Sequence, residues 1–497
     1  MSQAMLNGIF PGLQNLTWKR NAKWLLIIFL HWPFLLAGKV EDIDAVVRSY
    51  YETHQFSGTV LVAKAGQVIY RKSYGLANRE WKIPNRPEAK YRIASISKQF
   101  TAMLILQLVA EGRLSLTGRI TDYLPYYRKD TGRRVTLHHL LTHTSGIPDL
   151  TDDPYFWDYE TRLRFDLKTL VKKHCSGRLE FKPGTQFDYC NSGYIILGAI
   201  IEEVTGKSYE TVLEERILKP LGLSHTDYDH NKVILPYRAS GYDYNYGDYQ
   251  NANYLDMSSI GAAGALYSTV DDLFRCDQAL YTDRLLPAEY REKMMTPYLN
   301  DYAYGLGIYQ VELPDSSRVT MVSHTGGIHG FNSRIARYID QRHTVIILGN
   351  QIPINHTDMN IALRNILYNQ PFQLALPSIA DTLYQHYKEY GMSMAIELYS
   401  QLKRAAPGQY NFKERELNTL GYYLLRNVNV DDAITIFQLN VAAYPTAFNT
   451  YDSLGEAYLV KGDRDKAIFN YEKSLELNPD NTNGKIMLKK ARRLPRR

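Results

Sequence analysis

Three short motifs follow one another along the chain: Ser95-Ile96-Ser97-Lys98, Tyr189-Cys190-Asn191 and His324-Thr325-Gly326. A serine hydroxyl is a weak nucleophile at neutral pH, so acyl transfer through serine needs a base within hydrogen-bonding reach. Lys98 stands three residues after Ser95, and residues i and i+3 share one face of a helix. The run Phe100, Met103, Leu104, Ile105, Leu106, Leu108 and Val109 is apolar nearly all round, which predicts a helix buried in a sizeable core. Burial disfavours the charged ammonium and lowers its pKa, bringing Lys98 toward the range where it can take a proton. A serine at the start of that helix also gains free backbone N–H groups suited to an oxyanion.

Each motif is common on its own. Ser400-Gln401-Leu402-Lys403 repeats the first spacing, and Tyr249-Gln250-Asn251 and Tyr298-Leu299-Asn300 repeat the second. Taken alone, Ser95 would serve as a helix N-cap and Lys98 as a solvated side chain. The order of all three motifs, and their surroundings, point to chemistry instead. Those surroundings are Leu140-Leu141-Thr142-His143-Thr144-Ser145-Gly146-Ile147-Pro148, Gly261-Ala262-Ala263-Gly264-Ala265-Leu266-Tyr267-Ser268-Thr269 and Gly326-Gly327-Ile328-His329-Gly330-Phe331. With them, the chain resembles the large serine family that holds class C β-lactamases, D-alanyl-D-alanine carboxypeptidases, D-aminopeptidases and related esterases. The resemblance spans roughly residues 40 to 368.

That resemblance implies a role for each position. Ser95 would be the nucleophile, Lys98 the proton acceptor, and Tyr189 the relay that protonates the leaving group and activates water. Asn191 would position Lys98 and the substrate amide. His324, Thr325 and Gly326 would form the strand beside the acyl chain, with the N–H groups of Ser95 and Gly327 as the oxyanion hole. His143 tempts a triad reading, but its loop is structural in the family; Cys190 reads as a small buried residue. Class C enzymes carry lysine where His324 stands, so histidine favours the carboxypeptidase and aminopeptidase branches. A histidine titrating near pH 6.5 would there attract a substrate carboxylate in mild acid and release it as pH rises.

The elements needed to hold these residues are legible in outline. Thr59 to Ala63 and Val68 to Arg71 read as one hairpin, and Arg334 to Ile339 with Thr344 to Leu348 as another. Helical stretches lie between them, including the Ser95 helix and 191–204. The expected fold class is α+β: an antiparallel sheet flanked by helices with a helical insertion, as in β-lactamases and transpeptidases, over 39–369. Tyr237, Tyr242, Tyr244, Tyr246, Tyr249 and Tyr254 crowd one polar segment, readable as an aromatic rim or as a hairpin with cross-strand tyrosines.

After Pro371 and Pro377 the composition turns to amphipathic helices. Leu420-Gly421, Ala433, Phe437 and Pro445 recur 34 residues later as Leu454-Gly455, Ala467, Tyr471 and Pro479. This is the tetratricopeptide period, and Ala395, Tyr399 and Pro407 supply an earlier, diverged unit. An all-α repeat solenoid is therefore expected over 378–497, offering a surface for a protein or peptide partner or bracing the first domain.

A chain of 497 residues with 45% hydrophobic content can bury two or three cores. The net charge of +6 is modest, and the basic C-terminus reads as a solvated helix end rather than a nucleic-acid surface. Cys175, Cys190 and Cys276 are scattered, so neither a metal nor a disulfide framework is implied, and no cofactor is called for. Lys19, Arg20 and Lys23 precede an apolar run from Trp24 to Leu30, which marks residues 1–38 as a signal peptide or signal anchor. The chain is then expected to be exported, either periplasmic or anchored to the outer face of the inner membrane. Two functions fit: a serine hydrolase of D-amino-acid peptides, esters or β-lactams, and a catalytically slow penicillin-binding sensor whose repeats bind a partner.

Overall fold

The computed structural model describes residues 38–495. The signal peptide or anchor expected over 1–38 lies outside the described residues except for Gly38. In chain order, the strands of four or more residues are β1 (Gly58–Lys64), β2 (Gln67–Tyr74), β3 (Tyr242–Asn245), β4 (Asp248–Asn251), β5 (Gly307–Glu312), β6 (Arg318–Ile328), β7 (Phe331–Tyr338) and β8 (His343–Gly349). The helices of ten or more residues in the first part are α1 (38–52), α2 (Ser97–Ala110), α3 (Asn191–Thr205), α4 (Val270–Ala279) and α5 (His356–Leu367). The repeat helices are α6 (Ile379–Tyr390), α7 (Met392–Ala405), α8 (Glu414–Asn427), α9 (Val430–Ala443), α10 (Phe448–Lys461), α11 (Arg464–Leu477) and α12 (Thr482–Arg492).

Six strands form one antiparallel sheet in the order β5-β6-β7-β8-β1-β2. The two hairpins read from the sequence are β1–β2 and β7–β8. Leu61, Ala63, Ile335, Ile346 and Leu348 face the core that holds α2 and α3. Val60, Val62, Ala336, Val345 and Ile347 face the opposite way, against Val46 and Val47 of α1 and Leu363 and Ile366 of α5. Both faces are covered, which is why Val345-Ile346-Ile347-Leu348 is a continuous apolar run rather than an alternating one. The helical insertion expected between the hairpins runs from β2 to β5 and carries α2, α3 and α4.

A buried polar knot joins α2 and α4 to the sheet. Arg337 Nε donates to Asp277 Oδ1 at 2.7 Å and Arg337 Nη2 to Gln99 Oε1 at 2.7 Å, while Thr344 donates to Asp277 Oδ2 at 2.8 Å. Arg337 and Asp277 are both fully buried.

The repeats pair α6 with α7, α8 with α9 and α10 with α11, and α12 packs on α11. Their glycines permit the close helix approach: a Cβ at Gly421 would lie 2.4 Å from the Phe437 ring, and one at Gly455 3.2 Å from Tyr471. The tyrosine-rich segment forms the β3–β4 hairpin, with Tyr244 paired to Tyr249 and their rings 4.9 Å apart. Among the described residues, no helix is long and apolar enough to cross a membrane.

Candidate active site

Ser95 sits on a single 3-10 turn, Ala94–Ile96, and α2 begins only at Ser97. Ala94 has φ +45°, a strained value for a residue with a Cβ. The turn is held against the sheet by close backbone approach, since a Cβ on Gly326 would fall 2.1 Å from the Ile93 carbonyl oxygen. Glycine in the third motif is thus needed for packing. Ser97 Oγ accepts from the Leu266 N–H at 3.2 Å, which ties the same turn to the 261–269 segment.

One turn along, Lys98 is fully buried and its ammonium donates three hydrogen bonds: to Ser95 Oγ at 3.0 Å, Asn191 Oδ1 at 2.7 Å and the Ala263 carbonyl at 2.9 Å. Burial lowers its pKa to about 7, against the opposing pull of Asp149. Lys98 therefore exchanges between ammonium and amine near neutral pH, as a proton acceptor must.

Asn191 opens α3 and is fixed in turn by Asp149. The Asn191 backbone N–H and side-chain amide donate to Asp149 Oδ2 at 3.1 and 2.9 Å, and the amide also reaches Thr151 Oγ1 at 3.1 Å. Asp149 and Thr151 were not read from the sequence, although Asp149 directly follows the 140–148 motif.

Tyr189 lies across from Lys98, with the Lys98 ammonium 4.8 Å from its ring centroid. Its hydroxyl is buried and makes no hydrogen bond; burial pushes its pKa upward, and the nearby Ser95 hydroxyl opposes that push only in part. The phenol is therefore protonated at neutral pH. Behind it stands His143, fully buried, its ring 4.2 Å from that of Tyr189, with Nδ1 accepting the Cys190 N–H at 2.9 Å. Burial and Lys98 hold His143 neutral, and its place behind Tyr189 fits the structural reading. The second S-x-x-K plays no part here: Ser400 donates to Ile396 of its own helix and Lys403 to Tyr399.

Ser95, Tyr189, Asn191 and Gly327 line one cavity of about 320 Å³, walled by Trp157 and Ile260. Such a volume suits a small ligand group. His324, Thr325 and Tyr189 line a second cavity of about 450 Å³, with Tyr302, Tyr309 and Arg334. Tyr189 is the wall between the two.

His324 differs from its expected behaviour. It is buried; its Nδ1 faces the Thr325 carbonyl at 2.6 Å, so Nδ1 carries the proton and Nε2 accepts from the Tyr302 hydroxyl at 2.9 Å. Burial, then the charge on Lys98, lower its pKa to about 3. That burial favours the neutral imidazole over an imidazolium that attracts carboxylates in mild acid. The cation in this cavity is Arg334, opposite Thr325 in the β6–β7 register. Its hydrogen bonds go to His356 Nδ1 at 3.3 Å and Ser323 Oγ at 3.5 Å, and no carboxylate lies beside it among the described residues.

Residues 43–367 match the family model described as Beta-lactamase, and residues 448–481 match the Tetratricopeptide repeat model. The chain is 32% identical to penicillin-binding protein 4* of Bacillus subtilis over 359 residues, covering 68% of this chain and 78% of that protein. The crystal structure of a penicillin-binding protein from Bacillus halodurans superposes with a TM-score of 0.55 at 30% identity, over 62% of this chain and 94% of that one. A D-stereospecific amidohydrolase from Streptomyces superposes with a TM-score of 0.52 at 28% identity, over 63% and 94% of the two chains. The chain thus belongs to the β-lactamase family and carries a tetratricopeptide repeat at its C-terminal end.

Proposed function

We propose that the chain is a serine hydrolase that works through an acyl-enzyme at Ser95 and acts on D-configured peptides or amides bearing a free carboxylate. The observation that carries this reading is the Lys98 amine, buried and 3.0 Å from Ser95 Oγ, with its pKa near neutrality. In the amine form Lys98 takes the Ser95 proton as Oγ bonds to the substrate carbonyl carbon. The developing oxyanion is stabilised by the backbone N–H groups of Ser95 and Gly327. As the carbon–nitrogen bond breaks, the leaving amine takes the Tyr189 phenol proton and Lys98 returns its own to Tyr189. Water then attacks the ester carbon, giving its proton by way of Tyr189 to the Lys98 amine, and Lys98 returns that proton to Ser95 Oγ as the ester bond breaks.

Arg334 and Thr325 would receive the substrate carboxylate, since a half-buried guanidinium without an acidic partner binds a carboxylate through charge-assisted hydrogen bonds. Similarity to a D-stereospecific amidohydrolase and to penicillin-binding proteins supports D-amides and β-lactams as the substrate class. The penicillin-binding relatives also support the second reading, a slow sensor whose adduct persists and whose repeats bind a protein partner. The basic and apolar N-terminal segment supports an exported protein, periplasmic or held at the outer face of the inner membrane.

Treatment with a fluorophosphonate or a fluorescent penicillin, followed by mass spectrometry, should find one adduct on the Ser95 peptide and none after Ser95→Ala. An adduct on Ser145 would overturn the assignment. Release of the penicilloyl group within minutes would favour the hydrolase, and an adduct stable for hours the sensor.

A further inference from the structure

The tip of the β3–β4 hairpin belongs to the repeats as much as to the sheet domain. Tyr246, with φ +51°, is only 9% exposed and shares an apolar cluster with Ile379, Leu383 and Tyr384 of α6. Its ring lies 5.2 Å from Tyr384 and 5.0 Å from Tyr423 of α8. Polar bonds fix the same joint. The Tyr244 hydroxyl donates to Asp381 at 2.9 Å, Gln385 donates its amide to the Tyr246 carbonyl, and Lys388 pairs with Asp248 at 3.2 Å.

The stem of that hairpin presses on the turn between β6 and β7. A Cβ on Gly330 would lie 2.5 Å from the Gly241 carbonyl carbon and 2.6 Å from Ala252 Cβ, so backbone meets backbone there. Gly241 in turn abuts Phe331, where a Cβ would fall 2.7 Å from the ring. His329 Nδ1 lies 3.3 Å from the Asn253 carbonyl, and its ring stands edge-on to Trp157 at 5.0 Å. Gly327, Ile328 and Trp157 line the Ser95 cavity.

We infer that the repeats position the oxyanion-binding strand: α6 and α8 clamp the β3–β4 hairpin, and the hairpin's stem sets the β6–β7 turn that carries Gly327. Tyr384 and Gln385 are then positioning residues for acyl transfer, although both lie in the repeat domain. An oxyanion donor acts only when held close to its working geometry, so loosening its support lowers the rate of acylation more than it weakens initial binding. A close-packed chain of backbone and rings is the kind of path that carries such an effect between sites.

The inference rests on Ser95 as the nucleophile, and its test separates the two. Tyr384→Ala, Tyr246→Ala and Gln385→Ala are made in the full chain, with Phe469→Ala, an exposed residue of α11, as the control. Two quantities are measured: the maximal rate and half-saturation of Ser95 labelling by a fluorophosphonate, and hydrogen exchange of the peptide spanning Gly326 to Phe331. The maximal rate should fall about 2- to 30-fold with half-saturation little changed, and exchange in that peptide should quicken. Rates and exchange equal to wild type in folded variants would overturn the inference. If the tyrosine variants precipitate, Gln385→Ala and Lys388→Ala carry the same two readouts, because each removes a polar bond without uncovering the cluster. Absence of labelling in the wild type would strike the hydrolase reading, while the exchange measurement would still decide this one.

Discussion

Lys98 meets two opposed demands. It must be buried for its amine form to be populated near neutral pH, yet a buried ammonium must have its donors satisfied. Ser95, Asn191 and Ala263 accept its three hydrogen bonds, and Asp149, one bond further out through Asn191, keeps the charged form accessible. The pH dependence follows in sign. Since the base acts as the neutral amine, kcat/KM should rise with pH through about 7 and flatten above it, falling away as Lys98 is protonated in acid. Burial favours neutral His324 across this range, so KM for a carboxylate-bearing substrate should stay flat from about pH 5.5 to 8. Arg334→Gln should raise that KM about tenfold or more while leaving KM for a neutral short-chain ester unchanged. A KM that climbs with pH would return the charge to His324, and an ester hit as hard as the acid by Arg334→Gln would remove Arg334 from the site. Lys98 was legible in the sequence because its partner is three residues away. Arg334 was not, since only the pairing of β6 with β7 brings it opposite Thr325.

At the scale of elements, the polar knot under α2 decides whether Ser95 is held at all. Gln99 is the neighbour of Lys98 in sequence but points to the other side, where Arg337 of β7 and Asp277 of α4 meet it. Taking one partner from a buried ion pair leaves an uncompensated charge, which costs about 3–5 kcal/mol. Asp277→Ala should therefore lower the thermal midpoint sharply. The double variant Asp277→Ala with Arg337→Leu should recover part of that loss, because neither charge then remains buried. A double variant no more stable than the single one would show that the loss comes from the cavity and not from the charge. The hairpins and α2 were readable from local pattern, since apolar alternation and apolar runs are properties of neighbouring residues. The knot was not, because its members are scattered from Gln99 to Thr344. Ser95 on a 3-10 turn also escaped the pattern: the turn exists because Gly326 lets a strand approach the Ile93 carbonyl.

For the whole molecule, the 34-residue repeat marked the solenoid correctly, but a period says nothing about what the solenoid touches. If the domain expected over 39–369 held its core alone, a chain ending at Asn369 would keep its fold. The structure gives such a chain three things to lose. Tyr246 would be stripped of Tyr384 and Tyr423, Asp358 of its pairs with Lys413 and Arg415 at 3.0 and 2.7 Å, and α1 with the turn after it of the strap in which Ala375 donates to Ser49 Oγ and Leu376 accepts from Gln55. The exposed ion pairs contribute little. The tyrosine decides the outcome, since uncovering a large buried side chain costs about 1.5–3 kcal/mol and leaves an aromatic hairpin tip open to self-association. We therefore expect the chain ending at Asn369 to melt several degrees below the full chain and to aggregate, and Tyr246→Ser to restore its solubility without restoring the acylation rate. Differential scanning calorimetry and light scattering check the first part and fluorophosphonate labelling the second. A shortened chain that is monomeric, melts with the full chain and labels at the same rate would show that the two domains merely touch.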